Sequence, residues 1–263
     1  MIELRNCSGV RRLRGTVTGV ICLLFLATSL HADGASAPNR DRKADRLIAI
    51  GGGGGGGTIH GYTGVIIPLS GDIDGEGYIV RGWAKIFNFD YRTTIAGIAG
   101  TKVDAIGYSV VGEFGYQWSF AGRDRIALYG GIRYRDVTLS PGDPGSDLED
   151  GEVGASATLD GRWRIAGQFA VLANASFTAG FDEYWLQLKP HIVLAGGIRL
   201  GPDLVVQGGD NYRYLRFGAF VSDLTVRLPS FGRFFLSIEA GLQHDDLEGD
   251  DDLYGGIHSA FFF

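Results

Sequence analysis

The sequence is 263 residues long, carries a formal net charge of −6, and holds 43 glycines against 7 prolines, 2 cysteines and 1 methionine. So acidic a chain is a poor partner for nucleic acid, and so much glycine suits small barrels, where strands bend or cross closely, better than helices. Both cysteines, Cys7 and Cys22, fall before residue 33, so no disulfide, thiol chemistry or cysteine metal site is expected in the remainder.

Arg5, Arg11, Arg12 and Arg14 precede an apolar run from Thr16 to Leu30 and then small residues, the layout of a signal peptide over residues 1–32. The run is about 15 residues, short of the ~20 that a spanning helix needs. Ala32 is the expected processing site, because Pro38 disfavours cleavage directly after Ala37. Losing that leader, with its four arginines and one glutamate, takes the net charge from −6 to −9. Residues 33–57 form an N-terminal segment whose glycine run, Gly51 to Gly57, is expected to be an outer loop or a strained bend. It is not a phosphate loop, since no helix, Lys or Ser/Thr motif follows it. Residues 58–263 are expected to form one barrel domain, with no Pro- or Ser-rich linker dividing them.

Strand periodicity then runs through the chain. After a short candidate at Arg46 to Ile50 come Thr58 to Leu69 and Gly77 to Phe89. The clearest window is Ile106 to Trp118, where Ile106, Tyr108, Val110, Gly112, Phe114, Tyr116 and Trp118 alternate with a more polar set. Ile126 to Arg135 repeats the pattern with Arg125, Arg133 and Arg135 on the polar face, and Glu152 to Arg164 repeats it with Asp160 and Arg162. Phe169 to Phe177 and Tyr184 to Ile198 follow, the latter with a bend or bulge expected at Pro190. Leu204 to Gly208, Tyr212 to Ser222, Phe234 to Gln243 and Leu253 to Phe263 complete twelve candidates.

Alternation alone does not separate a soluble sandwich from a membrane barrel. Aromatics at the ends of the oily faces (Tyr116, Trp118, Trp163, Phe169, Phe177) fit an interfacial girdle, and charged residues along whole polar faces fit a wet or ion-paired lumen. The chain also ends Ala260-Phe261-Phe262-Phe263, a terminal aromatic of the kind outer-membrane barrels present to their assembly machinery. Long loops are expected around Asp90 to Thr101, Pro141 to Asp150 and Asp245 to Asp252, and short ones around Ser119 to Gly122, Ala166 to Gly167 and Gly201 to Asp203. The fold class is therefore all-β: an up-and-down antiparallel transmembrane β-barrel of about 12 strands, with 10 the alternative.

Little in the sequence points to catalysis. His258 and Ser259 suggest a hydrolase pair, but adjacent strand residues point to opposite faces. His60, His191 and His244 have no metal-ligand spacing. Asp143, Asp147, Glu149, Asp150 and Glu152, and the run from Asp245 to Asp252, read as solvated acidic loops rather than a calcium site, since neither fits an EF-hand. No cofactor or metal is expected. Arg81, Lys85, Arg125, Arg133, Arg135, Arg162 and Lys189, with Tyr129 and Trp185, are the candidate lumen residues. They either receive an anionic or sugar ligand or, the plainer expectation, form an internal salt-bridge network with Glu113, Glu152, Asp160 and Glu239.

The stretch Asp74-Gly75-Glu76-Gly77-Tyr78-Ile79-Val80-Arg81-Gly82-Trp83, together with Gly115-Tyr116, Tyr129-Gly130-Gly131, Gly201-Pro202-Asp203 and Arg216-Phe217-Gly218-Ala219-Phe220-Val221, resembles the cellulose biosynthesis protein BcsS family. The likeness runs from about Tyr62 onward. It implies an alphaproteobacterial outer-membrane barrel, not an enzyme, with outer-membrane lipid around it and cellulose or the cellulose synthase complex as partner. The alternatives are a lipid-modifying outer-membrane enzyme and a soluble, secreted, carbohydrate-binding β-sandwich.

Overall fold

The computed structural model describes residues 46–120, 124–146, 148, 151–209, 212–228, 232–245 and 251–262. The signal-peptide expectation for residues 1–32 lies outside them. Twelve strands are present among the described residues: β1 (Leu47–Gly55), β2 (Thr58–Pro68), β3 (Gly77–Ile95), β4 (Ile98–Ser119), β5 (Arg125–Ser140), β6 (Glu152–Ala166), β7 (Phe169–Ala179), β8 (Glu183–Val193), β9 (Arg199–Gly209), β10 (Tyr212–Leu228), β11 (Gly232–Asp245) and β12 (Asp251–Phe262). Each pairs with its neighbours in sequence, and β1 pairs antiparallel with β12, so the sheet closes without an edge.

The side chains sort as a transmembrane barrel requires. On β4, Ile106, Tyr108, Val110, Gly112, Phe114 and Trp118 face outward and are exposed, while Val103, Ala105, Ser109, Glu113 and Gln117 face inward and are buried. Exposed leucines, isoleucines, valines and phenylalanines continue that outer band round the sheet, for example Leu128, Ile132, Val153, Leu186, Leu215 and Ile257. Outward aromatics gather where strands end: Tyr78 stacks on Phe114, and Tyr116 lies against both Tyr78 and Trp118. Farther along the outer face, Tyr108 on β4 and Tyr134 on β5 hydrogen-bond Asp136. Tyr108 and Tyr116 are eight positions apart, ~26 Å along a strand rising ~3.3 Å per residue, enough for the apolar band of a tilted strand.

Several boundaries differ from expectation for local reasons. Gly51 to Gly55 form neither a loop nor a bend; they are the second half of β1, paired residue for residue with Tyr62 to Thr58 of β2 and with His258 to Tyr254 of β12. The barrel therefore begins at Leu47, eleven residues before the expected boundary at 58. Only Gly56 and Gly57, both at positive φ, make the turn. Asp90 to Thr101 is a tall hairpin of β3 and β4, turned by Ala96 and Gly97 at positive φ, not a loop. Gly201 to Asp203 lie within β9, and the preceding turn falls at residues 194–198. Pro190 leaves the pairing of β8 with β7 unbroken but interrupts that with β9 between Leu188 and Ile192, where its missing N–H has no bond to give.

The long-outside, short-inside pattern thus holds only in part. The eleven-residue connection after β5 is long, as expected, but Asp143 within it is buried and accepts a hydrogen bond from Tyr91 at 3.0 Å, so it is not a solvated acid. Asp245 is likewise buried at the end of β11. Asp147, Glu149, Asp150, Asp246, Glu248 and Asp250 lie outside the described residues.

Two small apolar clusters fill parts of the interior. Val103, Ala105, Val137 and Leu139, with Phe87, Phe89, Tyr91 and Ile95, pack inside the tall β3–β5 wall. Ile79, Ala127, Tyr129 and Ile66 pack near the end that carries the termini.

Candidate functional site in the barrel lumen

The candidate lumen residues all stand on inward positions of their strands, and they separate into distinct groups. Arg81 on β3 is 6% exposed; its Nε donates to Glu113 Oε2 at 2.6 Å and its Nη1 to Asp160 Oδ2 at 2.5 Å. Ser156 and Thr158 donate to the other Glu113 oxygen at 3.2 and 2.7 Å, Asn174 donates to Asp160, and the Tyr129 ring lies 3.7 Å beneath the guanidinium. One arginine thereby ties β3, β4, β5, β6 and β7 together.

Arg133 and Arg135 share Glu183 at 2.9 and 2.6 Å, Arg135 also binds Glu152 at 2.5 Å, and Phe181 from the β7–β8 turn packs beneath both arginines. At the end carrying the termini, Asp74 on the β2–β3 loop accepts from Arg125 at 3.2 Å and Arg162 at 3.0 Å. Gln117 holds the Ile73 and Gly75 carbonyls of the same loop at 3.0 and 2.7 Å, and Ser119 holds that of Asp74 at 2.9 Å. The loop is thus laid across that mouth.

Lys189 binds Glu239 at 2.8 Å and lies 3.5 Å from Asp203. Glu239 reaches His258 Nε2 at 3.2 Å, and His258 Nδ1 meets the Tyr62 hydroxyl at 2.8 Å. Tyr62 and His258 sit on strands to either side of β1, in register with Gly51. A Cβ on Gly51 would lie 2.7 Å from both rings, so the bare backbone of β1 is what allows them to meet. Gly64 does the same for Trp83, whose ring occupies the space a Cβ there would need. Ser259 faces the other way and donates to the Ile50 carbonyl at 3.0 Å, so it does not share a face with His258.

Between these groups lies a cavity of about 620 Å³. Of the candidates, Arg81, Lys85, Arg133, Trp185 and Lys189 line it; Arg125, Tyr129, Arg135 and Arg162 lie outside its lining, in the networks that bound it. Sequence reasoning missed Tyr62, Trp83, Glu183, Arg199, Asp203 and Arg216. Trp83 and Tyr62 share the inward parity of Arg81 and His60 and were within reach of the same periodicity. Asp223 was not: it enters the lumen at a bulge where β10 slips against β11 between Val221 and Leu224, and there it binds Arg199 at 2.7 Å.

The family model for the cellulose biosynthesis protein BcsS matches residues 52–263. The chain belongs to the BcsS family. The match takes in all of this BcsS-family barrel except the first half of β1. No curated protein matches in sequence. Among solved structures the barrel is similar to the KdgM porin (10% identity over 82% of this chain and 99% of that one, TM-score 0.46). It is also similar to the β domain of the Bordetella autotransporter BrkA (13% identity, 84% and 100%, TM-score 0.43) and to the Acinetobacter baumannii outer membrane protein Omp33 (8% identity, 84% and 99%, TM-score 0.40).

Proposed function

We propose that this BcsS-family barrel stands in the bacterial outer membrane and engages cellulose there, receiving glucan in its lumen during export or surface attachment. The carrying observation is the cavity of about 620 Å³, because its walls combine the two chemistries that a sugar chain requires. Trp83, Trp185 and Tyr62 offer flat apolar faces to the C–H side of a pyranose, and Asn174, Gln187, Gln207, Ser176 and Thr178 offer donors and acceptors to its hydroxyls. Support for a conduit narrower than an open pore comes from the β2–β3 loop across one mouth and the apolar cluster inside the tall wall at the other.

Deleting the gene tests this. The expected result is altered yield, release or surface attachment of cellulose, with unchanged lipid A and phospholipid composition, while the wild-type protein is recovered from outer membranes only with detergent. A change in lipid A acylation would replace this function with a lipid-modifying one, and recovery as a detergent-free periplasmic monomer would remove the barrel from the membrane.

A further inference from the structure

The surface of the central cavity presents more basic side chains than carboxylates. The protein carries −6 overall, yet six basic side chains and three carboxylates line the central cavity. Four of the six basic groups have a carboxylate: Arg81 with Glu113 and Asp160, Arg133 with Glu183, Lys189 with Asp203 and Glu239, and Arg199 with Asp223. Among the described residues, Lys85 and Arg216 form no ion pair. Arg216 is 9% exposed, spends only Nε on the Gln243 amide oxygen at 2.8 Å, and lies 5.8 Å from the Trp185 ring. The Lys85 ammonium lies 5.8 Å from the Phe87 ring. Cations drawn into an interior without a carboxylate in contact are costly unless a ligand or water completes them, and a guanidinium with N–H groups to spare beside an indole is suited to an acidic group carried on a ring.

We infer that the lumen selects an anionic saccharide, with Lys85 and Arg216 receiving a carboxylate or phosphate substituent and Trp185 the adjoining sugar ring. This rests on the proposal that the lumen takes glucan and adds that the glucan it takes carries an acidic substituent.

The barrel purified in detergent is titrated calorimetrically with a cello-oligosaccharide, with the same oligosaccharide bearing a terminal uronate or phosphate, and with inorganic phosphate alone. The acidic oligosaccharide is expected to bind at least about tenfold more tightly than the neutral one, and Lys85→Gln, which breaks no hydrogen bond, should reduce that preference several-fold with neutral binding unchanged. Arg216→Gln should act likewise, provided that it keeps the heat-modifiable mobility of the folded barrel. Equal affinity for neutral and acidic oligosaccharides overturns the inference and leaves saccharide binding standing. Loss of binding to both overturns saccharide binding as well, and inorganic phosphate binding as tightly as the acidic sugar overturns the saccharide half of the site.

Discussion

Arg81 shows what a single lumenal charge does in this barrel. It is 6% exposed, as is Glu113, and the pair holds together side chains from five consecutive strands. A buried pair is weak evidence for net stability, because desolvation offsets much of the attraction; removing one partner outright costs ~3–5 kcal/mol, and because Asp160 still holds Arg81, losing Glu113 should cost less than that while stripping Ser156 and Thr158 of their acceptor. Glu113→Ala is therefore expected to lower the temperature at which the purified barrel loses its compact gel mobility, and by more than Asp136→Ala, which removes a partly exposed partner of outward tyrosines. The network of Arg81, Glu113 and Asp160 was legible in the sequence because all three fall on the inward parity of clear strands. The separate Lys189–Glu239 pair was legible in the same way, but its extension to His258 and Tyr62 was not, because closure across β1 depends on Gly51 being strand, and a run of seven glycines carries no periodicity to read.

At the scale of the strand, the inward and outward faces of β4 make a direct comparison. Val110 is 49% exposed on the outer face, and Val111 lines the cavity. An arginine near the midplane of the lipid face costs ~2–4 kcal/mol, whereas one on the inner face is hydrated or paired. Val110→Arg is thus expected to reduce the amount of assembled barrel in outer membranes well below that of Val111→Arg, measured by the heat-modifiable band. The period-two pattern of β4 through β7 made the inward and outward faces legible from sequence alone, since each residue's parity is fixed once one face is apolar; the pairing registers come from the structure. Boundaries were less legible: the tall β3–β4 hairpin has polar, mixed residues from Asp90 to Thr101 that read as loop, and only pairing shows them as strand. On β1, Gly53→Val would bring a Cβ within 2.7 Å of the Gly255 carbonyl oxygen and 3.2 Å of the Gly256 Cα, both backbone atoms that have nowhere to move. Failure to form the heat-modifiable species is the expected outcome, where Ile50→Val, on the outer face of the same strand, should assemble normally.

For the whole molecule, the interior is divided into a mouth, a central chamber and a walled outer end. Asp74 closes the mouth by binding two arginines from the barrel wall, Arg125 on β5 and Arg162 on β6. Replacing Asp74 by Ala removes both bonds and leaves two like charges facing each other beneath the loop. Single-channel recordings in planar bilayers should accordingly show higher conductance or more frequent opening for Asp74→Ala than for wild type. Equal traces would mean that the loop is not what limits passage. The architecture of this interior was only half legible. The sequence supplied the arginines that face inward, but the loop that folds over them was read only as a resemblance motif, because a loop residue has no parity to reveal where it points.

The glycine-rich closure has a consequence for how the barrel becomes a barrel. Along Gly51 to Gly55 the seam with β12 offers no side chains to interlock, and Gly255 and Gly256 on the opposite strand add none. A two-residue slide along this stretch would rebuild every backbone hydrogen bond and meet little steric resistance from β1, losing chiefly the meeting of His258 with Tyr62. The final alignment is set by the few side chains along the track: Ile48 and Ile50 reaching the lipid side beside Phe261, His258 meeting Tyr62 over Gly51, and Tyr254 lodging over Gly218 and Gly241. Closure of this cylinder is therefore a smooth search brought to a stop by those few side chains, and errors in it would produce whole-register isomers rather than partly zipped strands.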